Sequence, residues 1–194
     1  MNQKKRLVPG RPNSRDSILD AALRVTARDG AGNLTLDKVA VECGLSKGGL
    51  LYNYPSKEAL LQAMLERLLN QHLQLMEEEY ETLKGQPDAT LRAFLRAWRH
   101  DEQISMDASL AIIAAAAQNP GLLQPLKEHF RDIYSRICRE SDNREQALMI
   151  WAAADGLLLH RIMDVAPYSH EDKAAMFDAM LRLAGDVPEG ETVA

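Results

Sequence analysis

The chain has 194 residues, of which 46% are hydrophobic and 26% charged, and carries a formal charge of −5. That is long enough to bury a real core and ordinary for a globular protein. No apolar run reaches the roughly 18 residues of a membrane span, and no apolar leader core follows the basic first residues, so the expectation is a cytoplasmic protein without a membrane partner.

Leu and Ala are abundant and β-branched runs scarce, which predicts an all-α fold. The two cysteines, Cys43 and Cys138, fit no metal spacing and read as two buried thiols, with a redox-sensing pair as the alternative. Charge is unevenly spread. Residues 1–57 hold ten Lys/Arg against five Asp/Glu, while residues 58–194 hold thirteen against twenty-three. A polyanion is attracted by one end and repelled by the rest.

Residues 1–13 read as an arm, broken by Pro9, Gly10 and Pro12 and carrying Lys4, Lys5, Arg6 and Arg11. Ser14 is the expected cap of the first helix, whose apolar positions Ile18, Ala22 and Val25 recur at helical spacing up to a stop at Gly30. Thr35 caps a short second helix with a stripe of Leu36, Val39, Ala40 and Cys43. Gly44 ends it, and Ser46 caps a third helix, Lys47 to Tyr54, stopped by Pro55. A helix–Gly–x–cap junction this tight is helix-turn-helix spacing. Ser56 then caps a long fourth helix with a stripe of Leu60, Met64 and Leu68. Without Pro or Gly until Gly85, it spans on the order of 40 Å. Further helices are expected over about 88–100, 103–118, 121–140, 143–165 and 170–185. The last ten residues, GDVPEGETVA, read as a frayed tail. The fold class is therefore all-α with about nine helices: an arm and helix-turn-helix domain over 1–57, and a second helical domain over 58–194.

Three capped helix starts lie close together at Thr35, Ser46 and Ser56, and Lys47 and Lys57 follow two of them. Free N–H groups at a helix start suit a phosphate. Gly48 and Gly49 cost helix propensity, up to about 1 kcal/mol each, a cost that close backbone approach to DNA would explain. Tyr52 and Asn53 can hydrogen-bond to phosphates or base edges. A plain helical hairpin is the competing reading.

Residues 14–60 resemble the DNA-binding domain of the tetracycline-repressor (TetR/AcrR) family. The matching pieces are ILDAA in the first helix, the DG turn, TLDKVAVECGLSKG, and the YNYPSKEAL run. The resemblance implies that Thr35, Lys47, Tyr52 and Lys57 contact or support the DNA backbone, and that Gly48, Gly49 and Asn53 lie near base edges. Two positions depart from the family pattern: Leu51 stands where Tyr is common, and Gly49 where Thr, Ala or Ser is common. The resemblance further implies a homodimer on a palindromic DNA operator, and a repressor released by a ligand. A regulator sensing a protein partner, or an activator, is the alternative.

For the dimer, Ala153, Gly156, Phe177 and Leu181 in the last two long helices are the expected interface. Phe94, Trp98, Met106, Leu110, Ile113, Phe130 and Tyr134 are the expected lining of a pocket for a small apolar or amphipathic ligand, each with core packing as its competing reading. His100, His129 and His160 lack metal-ligand spacing, so no metal is expected. No phosphate loop, nucleophile elbow or metalloprotease motif is present, so neither enzyme activity nor a cofactor is expected.

Overall fold

A computed structural model describes residues 14–100 and 106–186. The basic arm, residues 101–105 and residues 187–194 lie outside the described residues, as does the side chain of Met106. Among the described residues there are nine α-helices and no strand: α1 (Ser14–Asp29), α2 (Leu36–Cys43), α3 (Lys47–Asn53), α4 (Lys57–Leu83), α5 (Ala89–His100), α6 (Met106–Ala116), α7 (Gln124–Glu140), α8 (Arg144–Ile162) and α9 (His170–Leu183). Short 3-10 turns at Ala31–Asn33 and Pro120–Leu123 precede α2 and α7. All nine helices are those that the caps, breakers and periodicity predict.

Packing divides the protein differently from the chain. One core joins α1 to α3 with the first half of α4, through Ile18, Val25, Leu34, Val39, Leu50, Leu60, Leu61 and Met64. The second joins the far half of α4, at Met76 and Leu83, with α5, α7, α8 and α9. Each fully buried aliphatic side chain contributes about 1.5–3 kcal/mol, so both halves of α4 are held firmly. Helix α6, far from the N-terminus in sequence, belongs to the first core. Its Ala108, Ala111 and Ile112 are buried there, and it packs on α1, on α4 and on the first 3-10 turn. The small alanines allow that close approach.

Of the expected frayed tail only Gly185 and Asp186 are among the described residues, and these two are held against the fold. Asp186, three residues after α9, is buried and ion-paired. Its carboxylate accepts from Arg92 at 2.7 Å and from Arg96 at 2.7 and 2.6 Å, which ties the segment after α9 to α5. Burial alone would raise its pKa, but the Arg96 and Arg92 guanidiniums outweigh it and hold the carboxyl below its usual range. Sequence reading misses this because the partners stand some ninety positions away.

Truncating one partner of a buried pair strands the others, so Asp186→Ala should cost about 3–5 kcal/mol at neutral pH. Because the native pKa is depressed, that contribution is full above the ordinary carboxylate range and fades as acid protonates the group. Urea melts of both proteins should therefore differ most at pH 7 and converge on acidification.

Candidate nucleic-acid interface

The turn between α2 and α3 is built by its caps. Thr35 Oγ1 accepts from the Lys38 amide at 3.3 Å and opens α2. Gly44 closes it with φ 70°, a left-handed conformation that glycine adopts without strain. The Leu45 amide reaches back to the Ala40 carbonyl at 2.9 Å. Ser46 Oγ accepts from the Gly49 amide at 3.1 Å and opens α3, and Ser56 Oγ accepts from the Ala59 amide at 3.1 Å and opens α4. Buried Leu50 and Tyr54 anchor α3 against the first core.

The opposite face of α3 is open. Tyr52 is 91% exposed. Gly48 is exposed, and a Cβ added there would meet nothing within 4 Å. At Gly49 an added Cβ would make only ordinary contact, with Ser46 Oγ at 3.4 Å. Neither glycine is demanded by the fold. Lys47 Nζ lies 2.9 Å from Asp37 on α2, both exposed, so a base or phosphate has to exchange with that carboxylate. Lys57, at the start of α4, makes no ion pair among the described residues. Asn53 is held more firmly than the sequence suggests. Its Nδ2 donates to the Gly49 carbonyl at 3.0 Å, and its Oδ1 accepts from Ser14 Oγ at 3.3 Å. Ser14 is thus already helical and braces α1 to α3, instead of standing outside as a cap.

The sequence profile of the bacterial regulatory proteins of the tetR family matches residues 18–64, and that of the tetracyclin repressor-like C-terminal domain matches residues 88–185. The chain belongs to the tetR family. The HTH-type transcriptional regulator BetI of Burkholderia thailandensis is 29% identical over 182 residues, covering 89% of this chain and 90% of its own. Among solved structures, a transcriptional regulator from Rhodococcus superposes with a TM-score of 0.71 at 20% identity, covering 94% of this chain and 100% of the other. The multidrug binding protein EbrR, solved with malachite green, superposes at 0.67 and 21% identity, covering 89% and 98%. This tetR-family protein is therefore a transcriptional regulator with a DNA-binding helix-turn-helix, not an enzyme. No helix among its described residues is long and apolar enough to cross a membrane.

The regulator's C-terminal residues are arranged differently from the sequence expectation. Among the described residues, which leave out the Met106 side chain, the predicted pocket residues divide between core and surface. Phe94 and Trp98 are buried in the second core, while Leu110, Ile113, Phe130 and Tyr134 are partly exposed at the surface. Aromatic residues at helical spacing were claimed by packing: Phe94 meets Trp98 edge-on at 6.1 Å, and Phe130 meets Trp151 at 5.7 Å. Two predicted interface residues, Phe177 and Leu181, are likewise spent inside the protomer, in the second core. Ala153 is exposed, and a Cβ at Gly156 would meet open space. Beside Gly156, burial pushes the Asp155 carboxyl up to about 7.

Two variants follow from these placements. Gly48→Ala should raise stability by up to about 1 kcal/mol, because it removes backbone freedom and meets no clash. It should at the same time weaken operator binding if the bare backbone at Gly48 approaches DNA; unchanged affinity in a gel-shift titration removes Gly48 from the interface. Asp155→Asn should raise the melting temperature at pH 8, where the native protein buries a charge, and do little at pH 4. A raised carboxyl pKa costs stability as pH climbs from the unfolded value to the folded one.

Proposed function

We propose that this regulator is a homodimeric repressor that reads a palindromic operator with α3 and releases it when a small organic ligand binds the C-terminal domain. The open face of α3, with Gly48 unobstructed and Tyr52 projecting, carries the DNA half of the reading. Thr35, Ser46, Lys47 and Lys57 surround that face, placed for phosphate, while Asn53 and Gly49 sit nearest the base edges.

A seven-residue recognition helix reads few base pairs, so useful specificity needs a second half-site. Helices α8 and α9 offer the surface for a second copy. A groove of ≈ 540 Å³ between them is lined by Met149, Ala153, Met180 and Leu183, and Met149 is 67% exposed. Exposed Leu159 on α8 and Met163 at its C-cap extend the apolar strip. An isologous pairing of this face would cover Ala153 and Gly156 on both protomers.

Release has a physical route through α4 and α6. Both are buried in the DNA-binding core, and α4 continues into the second core. A ligand preferring the conformation in which the two recognition helices are wrongly spaced lowers operator affinity by its differential affinity for the two states. EbrR, of the same fold, holds malachite green and ethidium, which supports a small organic ligand for this chain as well.

The dimer reading is tested at an exposed position, where folding is not at stake. Ala153→Glu sets a carboxylate against its symmetry mate. Sedimentation should show a shift to monomer at low concentration, and operator affinity should fall while helical circular dichroism stays unchanged. A variant as dimeric as the parent places the interface elsewhere.

A further inference from the structure

The stretch of α4 between the two cores is flanked by a groove of ≈ 680 Å³ that runs along α7. Its charge is of one sign. Glu66, Glu128 and Asp132 line it, with no Lys or Arg among the lining residues. Asp132 has a remote partner, Arg136 at 3.9 Å. Glu66 and Glu128, on opposite walls, have no ion pair among the described residues. Each is instead steadied by the glutamine one turn before it: Gln62 donates to Glu66 at 3.1 Å, and Gln124 donates to Glu128 at 2.8 Å.

The wall carries a second and independent feature. His129 lines the groove, is only 9% exposed, and makes no hydrogen bond among the described residues. Its ring centroid is 6.1 Å from that of His72, which is 3% exposed with both ring nitrogens unpartnered. His72 in turn stacks on Trp98 at 4.0 Å, and the indole Nε1 is unpartnered too. Buried polar atoms without partners are uncommon and costly, and a row of them behind one groove wall calls for an explanation. Burial, reinforced by nearby His129, holds His72 down to about 3; burial also holds His129 below the usual histidine range, against the pull of Asp132. Both rings are therefore neutral at physiological pH. His129, which lines the groove with His72 behind it, presents a π-face and lone pairs, and no positive charge, to whatever enters.

We propose that this groove binds a hydrophobic organic cation, with its charge between Glu66 and Glu128 and its apolar body against Leu69, Leu73 and His129. An anion would meet three carboxylates. A bare metal ion would find no cluster of ligating side chains, since none is present among the described residues. A cation with an apolar body gains from both the carboxylates and the neutral His129 ring. Position adds a consequence: Leu69 packs on the DNA-binding core and Leu73 on the other, so one occupant touches both. That consequence for the operator rests on the ligand-released reading above; the binding site itself does not.

The test uses two probes of the same shape and opposite charge, tetraphenylphosphonium and tetraphenylborate, added to the full chain carrying Trp151→Phe. Trp98 is then the sole indole. Tetraphenylphosphonium should change Trp98 emission saturably, and tetraphenylborate should bind at least ten-fold more weakly. Glu66→Gln with Glu128→Gln should weaken the cation about ten-fold at low salt, with an unchanged melting curve, and the difference should shrink at high salt. Absence of a saturable signal with the cation, equal binding of the borate, or an unchanged affinity in the double variant each overturns the site. A cation that binds as described but leaves operator affinity untouched upholds the site and removes the ligand-released reading.

Discussion

Helix α4 is a rod that two hydrophobic cores hold at once. Its Leu60, Leu61 and Met64 are buried with the helix-turn-helix, and its Met76 and Leu83 with α5, α7, α8 and α9. An uninterrupted helix of 27 residues transmits a tilt along about 40 Å with little bending, because each turn is locked by its own hydrogen bonds. Neither core can shift against the other without moving this element or unpacking it. Helix α6 adds a second link of different character. It enters the DNA-binding core through small side chains, so its contact is close and easily disturbed by a change of spacing.

The DNA-binding end is rigid for local reasons. Three side-chain caps and one left-handed glycine define where α2, α3 and α4 begin and where α2 stops. Each cap contributes about 1 kcal/mol, and each fixes a direction as well as an energy. Asn53 and Ser14 add a brace from α3 to α1, so the exposed face of α3 is presented on an inflexible base. The salt bridges around it, such as Arg24 and Arg28 with Glu42, are exposed and contribute little to stability. Their effect is to neutralise acidic groups beside a surface that meets a polyanion.

The C-terminal domain combines tight pairing with unmet polar groups. Arg92 and Arg96 close on Asp186, and Glu140 of α7 accepts from the Thr90 amide at 2.7 Å at the start of α5. Within that frame the Arg92 Nε is unpartnered, and beyond it lie His72, Trp98 and Trp151 with orphaned ring nitrogens. A fold optimised for stability alone would fill these positions with aliphatic side chains. The cost of the three aromatic side chains concentrates where α4, α5, α7 and α8 meet, near the groove between the two cores.

Local chemistry was legible in the sequence by itself. Caps, breakers and 3.6-residue periodicity depend on neighbours within a few positions, so they announced all nine helices and the helix-turn-helix. The cap residues Thr35, Ser46 and Ser56 act as the spacing implied. What remained hidden depends on which helix faces which. Phe94, Phe177 and Leu181 look the same in a sequence whether they line a pocket, meet a second copy or fill a core, since each outcome needs only an apolar face. Packing spent them on the core. The place of α6 in the DNA-binding core, the Arg92–Arg96–Asp186 cluster and the Glu66–Glu128 groove join residues tens of positions apart. Side chains that distant become neighbours only through tertiary contact, and no periodicity within either segment records the other.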